Sequence, residues 1–505
     1  MELLQWLLGF VVKYPEIMAS AACFLLLFCR FRRRSKRIPT NWPVVGALPA
    51  IVANAGRVHD WVTEFLRAAA MSHVVEGPWG SPGDVLITAD PANVAHMFTA
   101  NFGNYPKGEE FAAMFDVLGG GIFNADGESW SFQRRKAHAL LSDARFRAAV
   151  AASTSRKLGG GLVPLLDGVA ASGAAVDLQD VFMRLTFDLT AMFVFGVDPG
   201  CLAADFPTVP FAAAMDDAEE VLFYRHVAPV PWLRLQSYLK IGHYKKMAKA
   251  REVLDASIAE LIALRRERKA ADANATGDAD LLTAYLACQD EIGMDGAAFD
   301  AFLRDTTLNL MVAGRDTTSS ALTWFFWLLS NHPGVEARIL AELRAHPPSP
   351  TGAELKRLVY LHAALSESLR LYPPVPFEHK AAARPDTLPS GAAVGPTRRV
   401  IVSLYSMGRM EAVWGKGCEE FRPERWLTPA GRFRHERSCK FAAFNVGPRT
   451  CLGRDLAFAQ MKAVVAAVVP RFRVAAAAAP PRPKLSIILH MRDGLKVKVH
   501  RRQED

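Results

Sequence analysis

The segment that most restricts the fold is Phe444-Asn-Val-Gly447-Pro-Arg449-Thr-Cys451-Leu-Gly453, which runs directly into a helical pattern from Arg454. Glycine on both sides of the thiol lets the backbone turn tightly beneath it and point N–H groups at the sulfur. The helix beyond Cys451 adds the positive end of its dipole. A cysteine in such surroundings is set up to act as a thiolate ligand, whereas an ordinary buried cysteine needs none of this.

The other six cysteines, Cys23, Cys29, Cys201, Cys288, Cys418 and Cys439, have no such context. With seven in all and no CxxC pair, a disulfide framework or a zinc ribbon is not expected. The chain has 505 residues, half of them hydrophobic, enough to bury a large core as one domain or two closely packed ones. Helical periodicity dominates from about residue 55, as in Lys249 to Lys269 and Asp295 to Leu329. Short apolar runs at Asp84 to Ile87 and Arg399 to Leu404 read as strands, and Asp493-Gly494 between Ser486–Arg492 and Leu495–Val499 predicts a hairpin. The expected class is mainly α with a minor β region. Ala270 to Asp280 reads as a polar loop that carries a formal glycosylation sequon at Asn274.

Lys and Arg number 60 against 51 Asp and Glu, a net charge of +9, but six of the basic residues crowd into Arg30 to Arg37. The remainder is only mildly basic, which fits an acidic partner or a membrane surface and not a nucleic-acid groove. Those charges follow two apolar runs, Leu3 to Val12 and Ile17 to Cys29. Basic residues on the C-terminal flank place that flank in the cytosol, the reverse of a cleaved signal peptide. The second run has 13 residues, short of the roughly 20 that span a bilayer, so the anchor either begins earlier or lies in the interface. We therefore expect a membrane-anchor helix over 1–29, a basic and proline-rich linker over 30–54, and a catalytic domain over 55–505.

The Cys451 segment resembles that of the cytochrome P-450 family, and further landmarks occur in the family's order. Ala313-Gly314-Arg315-Asp316-Thr317-Thr318 lies in a long helix, Glu367-Ser-Leu-Arg370 lies 84 residues before Cys451, and Phe421-Arg-Pro423-Glu-Arg425-Trp426 stands between them. The resemblance implies a P-450 fold and haem b bound non-covalently apart from a sulfur–iron bond from Cys451. It assigns Trp130, Arg134, Arg449 and Lys380 to the haem propionates, with His379 competing for the last role, and Gly447 to the loop under the sulfur. Asp316 and Thr317 are assigned to proton delivery, and Gly314 to opening the helix where oxygen sits. Glu367, Arg370 and Arg425 form a structural brace. Read on its own, Thr317 only bonds back to the preceding turn.

Asn104-Tyr-Pro-Lys-Gly108 and Phe441-Ala-Ala-Phe-Asn445 resemble the plant branch that hydroxylates fatty acids and alkanes, most of all its mid-chain alkane hydroxylases. The resemblance implies a monooxygenase of the endoplasmic reticulum membrane that takes NADPH-derived electrons from an acidic-faced cytochrome reductase. The neighbours of Arg134, Arg135 and Lys136, would meet that partner. Phe111, Phe115, Val312, Ala313, Ile487 and Ile488 are the expected walls of an apolar substrate pocket. Ala313 replaces the glutamate that esterifies haem in many animal fatty-acid enzymes, so a covalent link is not expected. Alternatives are an oxidative phenol-coupling enzyme of alkaloid synthesis, a haem-thiolate isomerase or dehydratase and, outside enzymology, a membrane-attached haem carrier or sensor.

Overall fold

The computed structural model describes residues 38–503 except 80–83, 229, 272–279, 295, 348–352, 397 and 477–480. The expected anchor over 1–29, the basic run to Arg37 and the sequon at Asn274 lie outside these residues. Among the described residues no helix is long and apolar enough to cross a membrane.

The helices that shape the site are, in chain order, α1 (Gly108–Met114), α2 (Gly127–Ser142), α3 (Leu178–Phe195), α4 (Pro210–Val227) and α5 (Val230–Leu239). They are followed by α6 (Gly242–Ala271), α7 (Gly296–Asn331), α8 (Val359–Leu371) and α9 (Arg454–Val468). The strands are β1 (Ser72–Val75), β2 (Val85–Thr88), β3 (Val176–Asp177), β4 (Phe377–Ala381), β5 (Asp386–Thr387), β6 (Ala393–Val394), β7 (Arg399–Ser403), β8 (Phe472–Ala476) and β9 (Lys496–Arg501). One sheet has the order β1-β2-β7-β4, with β2 and β7 parallel; a second has the order β3-β9-β8, and β5 pairs with β6. The molecule is thus mostly helical with a small β region, as the periodicity implies.

Helix α7 is the axis of the fold. It runs for 36 residues with no proline and Gly314 as its one internal glycine, its buried face outweighing the weak helix preference of its threonines, and it stops where His332-Pro333 disfavours helical backbone. Its C-terminal half is buried almost all round, with Trp324, Phe325 and Phe326 packed among Phe182 and Leu185 of α3, Leu365 of α8 and Val465 of α9. Helix α3 is capped at its start by the Asp177 carboxylate, which accepts from Gln179 N, and at its end by Gly196 at φ +68°.

Three expectations need correction. Gly314 was read as opening a groove, yet a Cβ at this position would lie 2.7 Å from Thr190 Oγ1 and 3.1 Å from Phe193. Its bare Cα lets α3 approach α7 closely. The expected hairpin does not form either: β9 pairs with β8 and β3, and residues 485–489 turn inward. Asp493-Gly494 does turn, with Gly494 at φ +71°, but the Leu489 carbonyl accepts from Trp324 Nε1 at 2.6 Å and Ser320 Oγ at 2.8 Å on α7 instead of from a partner strand. Finally, the part of the linker from Asn41 to Asn54 belongs to the globule. Ala47 N donates to Glu76 O, Ala47 is fully buried, and 48–53 is helical. Gly46 at φ +54° permits this turn, since a Cβ there would meet the Glu76 carbonyl at 2.3 Å.

Gly314→Ala should therefore lower stability by about 1–3 kcal/mol through overpacking, outweighing the roughly 1 kcal/mol that alanine ordinarily gains over glycine in a helix. Urea unfolding should show this loss. In the double variant with Thr190→Ala the two effects should add to less than their sum; full additivity would refute the contact.

Candidate active site around Cys451

The Cys451 loop is held at both ends by backbone. Cys451 N donates to Phe444 O at 2.7 Å, and Thr450 Oγ1 donates to Gly447 O at 2.6 Å. Gly447 sits at φ +65° with its Cα against Phe98 O, where a Cβ would lie 1.9 Å away. Any other residue there would push the loop off its support. Helix α9 starts at Arg454, so the N–H groups of Gly453 and Arg454 point at the sulfur. The side chain keeps one open face while protein encloses the others. Burial pushes the thiol up from its ordinary value of 9.0, outweighing the Gly453 donor, Arg134 and Arg454, which pull it down. The loop prepares a thiolate site, and a bound cation is needed to complete deprotonation.

Beside the loop lies a cationic cluster. Arg134 on α2 donates to Thr450 O at 2.7 Å, and Arg449 donates to Ala125 O at 2.8 Å and to Asp126 Oδ1 at 2.5 Å. Both guanidinium groups face the ring of Trp130, at 4.7 Å for Arg449 and 5.7 Å for Arg134. Lys380 is almost fully buried over Phe98, and burial followed by repulsion from Lys107 lowers its pKa to about 7. The alternation of β4 separates the two candidates there: Lys380 joins Lys107 and Arg449, while His379 faces Phe111 and His226.

Lys107, Asp126 and Glu378 were not singled out from the sequence. Asp126 accepts from the N–H groups of Lys107 and Gly108, and Lys107 Nζ lies 3.7 Å from Glu378 Oε2. The only signal for Lys107 was its place in the Asn104–Gly108 run. In this cluster Arg134, Arg449, Lys380 and Lys107 face two carboxylates, Asp126 and Glu378, and the buried Arg449 Nε has no partner among the described residues. A surplus of positive charge and a free donor beside a prepared sulfur fit a planar ligand with two carboxylates, as haem b has.

Beneath the loop, the Glu367 carboxylate accepts from Arg370 Nε and Nη2 at 2.7 Å, from Trp426 Nε1 at 2.8 Å and from Arg425 Nε at 3.3 Å. Arg370 also reaches the carbonyls of Gly408, Cys418 and Glu420, so α8 is tied to the segment that leads into the Cys451 loop.

On α7, Thr317 Oγ1 donates to Ala313 O at 2.7 Å, the local bond expected of a helical threonine. Asp316 is fully buried beside Arg315, while Val312, Ala313 and Thr317 are only half-buried. Phe111 and Phe115 stack at 4.3 Å and continue into His226 and His379. Ile487 and the buried Ile488 sit on the inturned 485–489 segment. Asp305 and Asn309 of α7 fix the loop after Phe115, accepting from Gly120 N at 2.7 Å and Phe123 N at 3.1 Å.

Comparison with known proteins places these residues in context. The family model described as Cytochrome P450 matches residues 37–499. Alkane hydroxylase MAH1 of Arabidopsis thaliana is 42% identical over 504 residues, covering 98% of this chain and 99% of that protein. Cytochrome P450 86B1 of the same plant is 40% identical over 504 residues, covering 96% of this chain and 89% of that protein. Noroxomaritidine synthase of Narcissus aff. pseudonarcissus MK-2014 is 38% identical over 514 residues, covering 98% of each chain.

Glu367→Gln should leave the Arg370 guanidinium buried against carbonyls alone, at a cost of about 3–5 kcal/mol. The haem-loaded protein should lose that much in denaturant unfolding, and a change under 1 kcal/mol would mean the brace is dispensable.

Proposed function

The chain belongs to the cytochrome P450 family, and on that premise we propose that it is a membrane-attached monooxygenase that hydroxylates a long-chain aliphatic substrate, with Cys451 as the haem ligand. Membership makes it a haem-dependent monooxygenase and sets aside the carrier or sensor alternative. Bound over Cys451, the haem supplies the activation of dioxygen, and thiolate electron donation favours O–O cleavage.

In this reading Gly447 and Gly453 keep the sulfur accessible and hydrogen-bonded. Arg134, Arg449, Lys380 and Lys107 hold the propionates, and Trp130 keeps the two guanidinium groups in place. Glu367, Arg370 and Arg425 stop the loop from shifting under its load. Asp316 and Thr317 hold and pass protons at their side-chain oxygens.

Phe111, Phe115, Val312, Ala313, Ile487 and Ile488 bind an alkyl chain at about 0.8 kcal/mol per buried CH₂. That grip is the same at every methylene, so the end of the pocket selects the carbon. The observation that carries the aliphatic assignment is the 42% identity, over nearly the whole length of both chains, to a protein named as an alkane hydroxylase. Oxidative phenol coupling is the second reading, favoured by the 38% identity to noroxomaritidine synthase.

Membrane attachment is assigned to residues 1–29 and is supported by apolar side chains left in solvent along and after α5: Trp232, Leu235, Tyr238, Leu239 and Ile241. The proposed location is the endoplasmic reticulum membrane with the catalytic domain in the cytosol. Electrons come from an NADPH-dependent reductase, and the exposed Arg135 belongs to its docking face.

Cys451→Ala should abolish the red-shifted Soret band of the reduced carbon monoxide complex; a variant that retains it has another ligand. For substrate, binding spectra with alkanes, fatty acids and phenolic amines, followed by turnover with reductase and NADPH, should give hydroxylated aliphatic products. Coupled phenols without aliphatic hydroxylation would replace the first reading by the second.

A further inference from the structure

We propose that Glu219 shares a proton with Asp316 across the α4–α7 contact and thereby keeps Asp316 charged with a proton for delivery toward Thr317. The inference rests on the assignment of Asp316 and Thr317 above and adds to it a positioning residue from a different helix.

Glu219 lies on α4, Asp316 on α7 and His490 just beyond the inturned 485–489 segment; all three are buried, and one side-chain ligand atom from each lies within 4.8 Å of the other two. Ser486 Oγ donates to Glu219 Oε2 at 3.2 Å, and His490 Nε2 stands 3.6 Å from the same oxygen. Arg315 Nη1 donates to Asp316 Oδ1 at 2.7 Å and to Asp216 Oδ1 at 2.8 Å. The other oxygens, Glu219 Oε1 and Asp316 Oδ2, are buried without any donor among the described residues, as are both ring nitrogens of His490. Glu219 and Asp316 thus bring carboxyl oxygens within 4.8 Å of each other in a buried site, and two carboxyls hydrogen-bond to each other only when one of them carries a proton.

The charges around the pair agree with this. Asp216 on the same helix, Arg315 and Asp316 on α7, and Ser486 and His490 beyond it are the groups that face Glu219. The nearby lysines are engaged elsewhere, Lys246 with Asp217 and Glu220, and Lys484 with Glu220. One guanidinium thus stands against three carboxyls. His490 adds no charge near neutrality, because burial lowers it to about 4 despite Asp316. Burial first, then Asp216, raises Glu219 to about 7, and burial raises Asp316 against the pull of Arg315. Like-charged carboxyls in one dry site cannot both ionise, so the pair titrates as a unit. A divalent ion would have to sit beside the fixed positive charge of Arg315, which is bonded to Asp316 Oδ1 and Asp216 Oδ1, whereas a proton adds only one charge between the carboxyls.

Monooxygenation joins one oxygen atom of O₂ to a C–H bond and reduces the other to water, consuming two electrons and two protons. The electrons come one at a time from the redox partner. Each proton leaves the shared carboxyl pair at Asp316, passes by the Thr317 hydroxyl on the next residue, and ends in the product water. Asp216, about one-third exposed, is the edge at which solvent recharges the pair.

Infrared difference spectra of the haem-loaded protein over a pH titration should show a protonated carboxyl C=O band that disappears as the pH rises through about 7. Glu219→Gln should remove it and Glu219→Asp keep it. Product formed per NADPH should fall in the wild type over the same range. In Glu219→Gln that dependence should vanish, with about a tenfold or greater loss of product, more peroxide, and unchanged substrate-binding and carbon monoxide spectra. Absence of a titrating carboxyl in the wild type overturns the proposal even if Glu219→Gln does not fold. So does a Glu219→Gln enzyme with the wild-type pH profile, or a stoichiometric divalent metal beyond iron that the variant loses. The infrared band needs no turnover, so it fails separately from the assignment of Thr317.

Discussion

Helix α7 is buried along most of its length, so most of its polar side chains take their partners from the protein instead of water. That constraint organises the molecule. Asp305 and Asn309 recruit the loop after Phe115, Thr186 Oγ1 of α3 donates to the Arg315 carbonyl, and Ser320 and Trp324 capture the Leu489 carbonyl. Each bond draws a segment distant in sequence onto the same helix. Ile487 and Ile488, two of the expected pocket walls, lie next to the captured Leu489 carbonyl, and Phe115 borders the loop that Asp305 and Asn309 hold.

Local signals were legible and distant partners were not. The Cys451 loop could be read because glycine, cysteine and a helix start within ten residues have few backbone solutions. The course of α7 could be read from its period and from Pro333. The hairpin reading failed because Asp493-Gly494 describes a turn but cannot say which segment the Leu489 carbonyl prefers; α7 outcompeted a strand. Gly314 was misread for a related reason. A glycine inside a helix signals a close approach, but whether ligand or helix approaches is decided by Thr190 and Phe193, more than a hundred residues away.

The same limit explains the missed residues. Lys107, Asp126 and Glu378 are ordinary surface types in the sequence, and Glu219 sits in the acidic run Asp216-Asp-Ala-Glu-Glu220 with no motif around it. Only folding brings Glu219 against Asp316 and Lys107 against Lys380. Arg370 and Glu367 were legible as a pair since three residues of helix already place them together.

Three buried charged networks can be compared by what they leave unmet among the described residues. In the Glu367 brace, none of the nitrogen or oxygen atoms of Glu367, Arg370 and Arg425 is left without a partner, which is the state of a network that only has to hold still. The cluster around Arg449 keeps a bare Nε and an excess of positive charge. The cluster around Asp316 keeps bare oxygens on two carboxyls, a bare Nε on Arg315 and an excess of negative charge. Unmet buried groups cost about 1–3 kcal/mol each, and these two clusters combine several of them with an unbalanced charge. In the proposed reading, carboxylates of the bound cofactor complete the Arg449 cluster and protons complete the Asp316 cluster. On that reading the imbalance has opposite signs because one cluster must attract an anion and keep it, whereas the other must take up protons and give them away.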